Sequence, residues 1–346
     1  MDAQSLASIH QQLVQTLDKL FGEEGVQHQV RLSCEAQLKA FRQQPVAVEA
    51  AQHFLQQSQH QYVLWFSASL LNEVVLEKWS SIDDVTAKTI RTNALSALVA
   101  NSEPPKVWPT MVAEKVLAVV CAVAMHDFPH RYPEYFSDVQ KLVRNEPTLG
   151  VGVRLVRFTL EEFPLAAVHS RPLGRTARGL SSRRIDELTT FMQKQIGGFV
   201  PILQDVLEHA AKEARAGEDA LKALEIICDA APMSVAAGIA GSTKLLQLLF
   251  AYLSPKPGPD GSLGLSAYAP VAIQVLSSLL RKQCLSSAHE HGFAVNVAKQ
   301  VRSLMHPLRR RLSARLSSYR IPFCFVMLGV WSIERVYIVS GCPRGH

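Results

Sequence analysis

Three short stretches hold the residue types that chemistry uses. His126, Asp127 and His130 fall within five residues, and imidazole and carboxylate both ligate zinc. Two histidines four apart on one helical face would form a metalloprotease-like pair. Pro129 stands between them, and proline interrupts the helix such a pair needs. The stretch therefore reads as a structural turn. The adjacent carboxylates Asp83-Asp84 and Glu161-Glu162 resemble acid–base pairs only by adjacency. Neighbours on a helix point about 100° apart, so neither pair can share one substrate atom. Gly150-Val151-Gly152 is a fragment of a phosphate-loop pattern, without a third glycine, a Lys-Ser/Thr pair or a preceding strand. No Ser/His/Asp or Cys/His set has a recognisable context. These residues point away from an enzyme, and they call for no metal and no cofactor.

Binding chemistry has two further candidates. Phe128, Tyr132, Tyr135 and Phe136 either line a peptide groove or pack between helices, and packing is the simpler reading. Arg171, Arg175, Arg178, Arg183 and Arg184 would suit acidic cargo, RNA or a phosphorylated partner, but a solvated loop is the simpler reading. Arg309–Arg311, followed by Ser313, Ser317 and Ser318, resembles a kinase-accessible or import-like tail on weak grounds.

The elements that must position such residues are helical. His60–Ser80 sets the frame, with Val63, Phe66, Leu70 and Val74 in one row and Leu64, Ala68, Leu71, Val75 and Trp79 in a second. Two adjacent rows make a stripe too wide for a helix lying on one core, so this helix needs cover on more than one side. Before it, Ser5–Phe21 is amphipathic and stops at Gly22 and Gly25. Val26–Gln43 carries Val30, Cys34, Leu38 and Phe41, and Pro45 opens Val46–Gln57 as an N1 proline would. After it, Ser81-Ile82-Asp83-Asp84 caps Val85–Ala100, with Ile90, Leu95, Leu98 and Val99 inward; Pro104-Pro105 breaks the chain, and Val107–Met125 is the most apolar helix. Helices follow at Glu134–Val143, Leu149–Phe163 and Ile185–Ala214, the last with a bend expected near Gly197, Gly198 and Pro201. Glu218–Ala230 is expected to pair with Ser242–Leu253, and Ala267–Gln283 with Ala288–Leu304. Pairs every 40–45 residues or so, with no strands between, are the mark of HEAT-like repeats. The predicted fold is an all-α, right-handed solenoid of HEAT-like or armadillo-like helix pairs. Its parts are a first helix at 1–25, repeats over 26–306 with loops at 164–184 and 254–266, and an atypical basic and apolar tail at 307–346.

Composition agrees. Apolar residues are 48% and charged residues 19% of the 346, enough for a large core. The net charge is +6, yet seven arginines against Glu334 account for all of it from Arg309 onward. Residues 1–308 sum to zero, so a basic nucleic-acid-binding domain is not expected. Six scattered cysteines with no CxxC suit a reducing compartment. The opening MDAQSLASIHQQ lacks the features of a secretory signal, and Ile321–Trp331 is about half the length of a membrane span. A soluble, intracellular protein is expected.

Residues 59–145 carry a resemblance. HQYVLWFSASLLNEVVLEKWSSI, a capped helix, and an apolar helix ending in HDFPHRYPEYFSDV are similar to the second and third repeats of the importin-β/exportin (karyopherin) family. Asp127-Phe128-Pro129 and Tyr132-Pro133 stand where that family more often has Trp-Pro. RNEPTLGVGVRLVRFTLEEFP and IDELTTFMQKQIGGFVPILQDVLE follow the rhythm of one exportin branch. GEDALKALEIICDAAPMSVAAG resembles a later segment, with Ala230-Ala231-Pro232 in place of a Trp-Ile-Pro turn. The resemblance covers about residues 26–305 and implies the amino-terminal part of a nuclear export receptor that shuttles between nucleus and cytoplasm. It implies Ran-GTP bound by the inner helices, a protein cargo (profilin-actin in that branch) and nuclear pore proteins as partners. By position the inner helices are Val46–Gln57, Val85–Ala100 and Glu134–Val143, and their exposed candidates are Gln52, Gln56, Lys88, Arg91, Asn93 and Gln140. The competing reading is a helical-repeat adaptor that organises a cytoplasmic complex without transport.

Overall fold

A computed structural model describes residues 2–22, 27–102, 107–165, 179–209, 214–253, 256–257, 263–264, 266 and 268–284. Among them are thirteen α-helices: α1 Ala3–Phe21, α2 His28–Arg42, α3 Ala47–Gln57, α4 Gln61–Lys78, α5 Asp84–Ala100, α6 Thr110–Asp127, α7 Tyr135–Arg144, α8 Leu149–Glu162, α9 Ser182–His209, α10 Ala214–Ala230, α11 Met233–Gly241, α12 Thr243–Leu253 and α13 Ala269–Cys284. The architecture is the all-α stack of helix pairs that the periodicity predicts. The chain divides into two compact units, one holding α1–α8 with α9 up to Met192, the other holding the rest of α9 with α10–α13. No helix among the described residues is long and apolar enough to cross a membrane.

In the first unit, α4 is covered as its two apolar rows require, with α1, α3 and α6 packed against it. Val63, Leu64, Phe66, Ala68, Leu70, Leu71 and Val75 are buried, whereas Val74 is half-exposed. Helices α4, α6 and α8 follow one another in contact, and α3, α5 and α7 lie against α4, α6 and α8 respectively. Local sequence sets the helix starts. Asp2 accepts a bond from Ser5 N–H at the head of α1, and Asp83 accepts from Val85 N–H and Thr86 N–H at the head of α5. His60 caps α4 through its ring nitrogen, which accepts from Val63 N–H at 3.4 Å.

Several local expectations change. Val30 faces out with Leu32, because the buried stripe of α2 is Cys34, Leu38 and Phe41. Pro45 lies before the N-cap Val46 and not at the first helical position. Leu95 and Val99 are half-exposed, while Ala87, Ala94 and Ala97 fill the inward positions of α5. Gly22 ends α1 in right-handed geometry, and a Cβ there would stand 2.7 Å from the Asp18 carbonyl oxygen.

In the second unit α10 packs on α13, and α12 also packs on α13, so the expected pairing of α10 with α12 is replaced. The intervening helix α11 has no counterpart in the sequence-based expectation. It separates α10 from α12 along the chain and itself contacts α10, α12 and α13. Leu221, Leu224 and Ile227 of α10 meet a core that includes Val275 and Leu279 of α13. Helix α9 continues through Pro201. A two-residue antiparallel ribbon, Lys256–Pro257 with Leu263–Gly264, forms inside the stretch expected to be a loop. Pro104-Pro105, the helix expected at Ala288–Leu304 and the tail at 307–346 lie outside the described residues.

Candidate interface on helices α3, α5 and α7

The three helices that resemblance marks as inner ones belong to the first unit. Phe54 of α3, Ile90 of α5 and Val139 of α7 are buried, which leaves the opposite faces to polar residues. Among the candidates on these helices Gln56 and Lys88 are exposed, and Gln52, Arg91, Asn93 and Gln140 are half-exposed. The structure joins two of the candidates directly: Asn93 Nδ2 donates to Gln52 Oε1 at 3.1 Å, tying α5 to α3. Arg91 turns the other way. Its Nη1 donates to the carbonyl of Arg131 at 2.9 Å, and its guanidinium lies 4.3 Å from the centre of the Tyr132 ring. Gln56, Lys88 and Gln140 make no side-chain hydrogen bond among the described residues.

The corner between α6 and α7 supports Arg91. At its base Asp127, ending the apolar run of α6, is buried and accepts the Trp79 indole N–H at 2.7 Å. Arg131 reaches the same carboxylate oxygen at 3.5 Å and Asp84 at 3.2 Å, which links the start of α5 to the end of α6. The Phe128-Pro129 peptide is cis. Phe128, Tyr132, Tyr135 and Phe136 are all buried, so the aromatic cluster packs and does not form an open groove. Phe128 meets Phe136 edge-on at 4.8 Å, and Tyr135 stacks on Phe163 at 5.7 Å. The Tyr132 hydroxyl donates to Asp138 at 3.1 Å, and Lys141 holds the other oxygen of that carboxylate at 3.0 Å. Burial pushes the Tyr132 phenol well above its usual range, and the Asp138 charge adds to this. Burial lowers the His126 imidazole, with Asp127 acting against that shift. Burial also pushes the Cys121 thiol up to about 12, despite bonds to Tyr135 and Thr159. That thiol is a packing group and not a nucleophile.

Sequence reasoning misses a heavily bonded cation in this unit. Arg184, expected in a solvated loop, sits in the first turn of α9. Its Nε and Nη2 donate to the Met125 carbonyl at 3.0 and 2.8 Å, and Nη2 also reaches the His126 and Phe128 carbonyls. Four carbonyls at any helix end lack intrahelical partners, and here one guanidinium satisfies two of them in α6, those of Met125 and His126, and the Phe128 carbonyl just beyond, from 56–59 residues away. Glu187 pairs with Arg184 at 2.6 Å and with His130 at 3.0 Å, and both bonds hold its carboxyl below the usual range. The His126 ring and the Asp127 carboxylate both meet Trp79, while His130 pairs with Glu187. No group of metal-ligating residues occurs among the described residues. Arg171, Arg175 and Arg178 lie outside them.

Comparison with known proteins follows the same lines. Residues 34–100, which include α3 and α5, match the importin-beta N-terminal domain. The chain is 25% identical over 195 residues to Exportin-6-A of Xenopus laevis, covering 56% of this chain and 16% of that protein. It is 23% identical over 174 residues to Exportin-6 of Homo sapiens, covering 50% and 14%. It is 25% identical over 132 residues to Exportin-6 of Dictyostelium discoideum, covering 36% and 13%. The chain therefore spans about one-sixth or less of the length of these relatives. Its resemblance is to the importin-β/exportin family, whose members are transport receptors and not enzymes, and the relatives named are all exportin 6.

Proposed function

We propose that this importin-β/exportin-like chain acts as the amino-terminal part of a nuclear export receptor of the exportin 6 kind. It binds Ran-GTP through the polar faces of α3, α5 and α7 and couples that binding to the export of a protein cargo, profilin-actin being the cargo class implied by its resemblance. Such a receptor shuttles between nucleus and cytoplasm and meets nuclear pore proteins on the way. The observation that supports this reading is where the family match falls. The importin-beta N-terminal match at 34–100 contains Gln52, Gln56, Lys88, Arg91 and Asn93, and the Gln52–Asn93 bond ties two of these polar residues across α3 and α5. Gln140 extends the surface to α7, outside the matched residues. A solenoid that clasps a GTPase needs broad polar contact and no chemistry of its own. GTP is then hydrolysed by the GTPase.

The test is capture of Ran locked in its GTP or GDP form by the purified full chain. Preference for the GTP form is expected. Equal capture of both forms would favour the adaptor that organises a cytoplasmic complex. Combined substitution of Gln56, Lys88 and Gln140 by alanine should weaken the GTP-specific binding while leaving the melting temperature in place, since none of the three has a side-chain partner among the described residues.

A further inference from the structure

Arg91 differs from four other arginines of the first unit. Arg42 pairs with Glu73, Arg131 with Asp84 and Asp127, Arg157 with Glu114 and Glu161, and Arg184 with Glu187. Arg91 is half-buried and has no carboxylate partner among the described residues. Its position is fixed all the same, by the Arg131 carbonyl at 2.9 Å and the Tyr132 ring at 4.3 Å. Tyr132 is itself held, with its hydroxyl on Asp138 and its ring 5.5 Å from Tyr135. A guanidinium has five N–H donors, and one is used here. The remaining donors and the full charge are presented beside exposed Lys88, one turn earlier on the same helix.

We infer that Arg91 is the specificity-determining anchor of this surface, reading a carboxylate on an acidic segment of the bound GTPase. This rests on the transport reading given above. The physical argument is pre-organisation. An arginine normally loses much side-chain freedom on binding, but stacking and the carbonyl bond have already immobilised this one. It is half-buried and has no carboxylate within ion-pair distance among the described residues, so an incoming carboxylate gains a charge-assisted, two-pronged bond. Lys88 adds attraction for the same acidic segment.

The experiment measures affinity of the full chain for GTP-loaded Ran at low and moderate salt, for wild type, R91A and R91K. R91A should bind about tenfold or more weakly, with a shallower salt dependence than wild type. R91K should keep the salt dependence and recover little of the affinity, because an ammonium neither stacks as a plane nor forks onto a carboxylate. Unchanged affinity in R91A, or full recovery in R91K, would overturn the Arg91 assignment while leaving the transport reading intact. Wild type that fails to prefer the GTP form would overturn both. Melting curves of R91A and R91K identify any loss that comes from unfolding, and a folded R91A with wild-type binding decides against the assignment.

Discussion

Asp127 is a buried carboxylate, and its two donors decide whether it is tolerable. Trp79 supplies the shorter bond, 2.7 Å, and Arg131 the longer. Trp79→Phe keeps most of the ring contact and removes the N–H. A buried charged acceptor that loses a donor costs about 1–3 kcal/mol. We therefore expect urea unfolding of the first unit to shift by that amount, without a change in helix content. Gly152 is a second residue where one atom decides. A Cβ there would stand 2.5 Å from the Val143 nitrogen and 2.7 Å from the Leu142 carbonyl carbon, both backbone atoms that cannot step aside. Alanine favours a helix interior over glycine by about 1 kcal/mol. Overpacking costs roughly 1–3 kcal/mol, so Gly152→Ala should lower stability in thermal melts in spite of the better propensity.

At the scale of elements, the end of α6 depends on a side chain from α9. Arg184→Ala would leave the Met125, His126 and Phe128 carbonyls without their shared donor. Hydrogen bonds to a charged donor are worth about 1.5–3 kcal/mol, and a loss of that size is expected in denaturant titration. Arg184→Lys should recover little, since one ammonium cannot reproduce a planar fork spread over several acceptors. The same corner gives a pH dependence. Burial holds His126 below its usual 6.5 in the fold, so the unfolded chain takes up the proton first as pH falls. Stability is then greatest above about pH 6.5 and declines as acid is added below it. His10, lowered by burial and by repulsion from His60 and His53, acts in the same direction. Melting temperature should fall between about pH 7.5 and 5.5, and His126→Gln should flatten part of that slope and leave the share due to His10.

At the scale of the whole molecule, sequence reveals what is periodic and local. The double apolar row of α4 predicts cover on several sides, and Ser81-Ile82-Asp83-Asp84 predicts a cap; both are present, the cap being Asp83. The candidate surface is legible as helix positions, but not as contacts. That Asn93 meets Gln52, or that Arg91 lies on Tyr132, depends on how helices 40 residues or so apart are registered. Arg184 escapes sequence reasoning because arginine among Gly, Ser and Arg looks solvated, and nothing nearby marks a partner 59 residues back. In the second unit, pairing by chain order fails because α11 is rich in Ala and Gly. Met233–Gly241 carries small residues where a helix signal would normally be bulky.

The cladding of α4 also determines when its amides meet water. A helix that rests on α1, α3 and α6 together cannot detach by fraying, since freeing it parts it from all of them together. Deuterium should therefore enter α4 last in the first unit, at the rate of that unit's full opening. Helix α2, which bears exposed Val30 and Leu32, should label much sooner under the same native conditions.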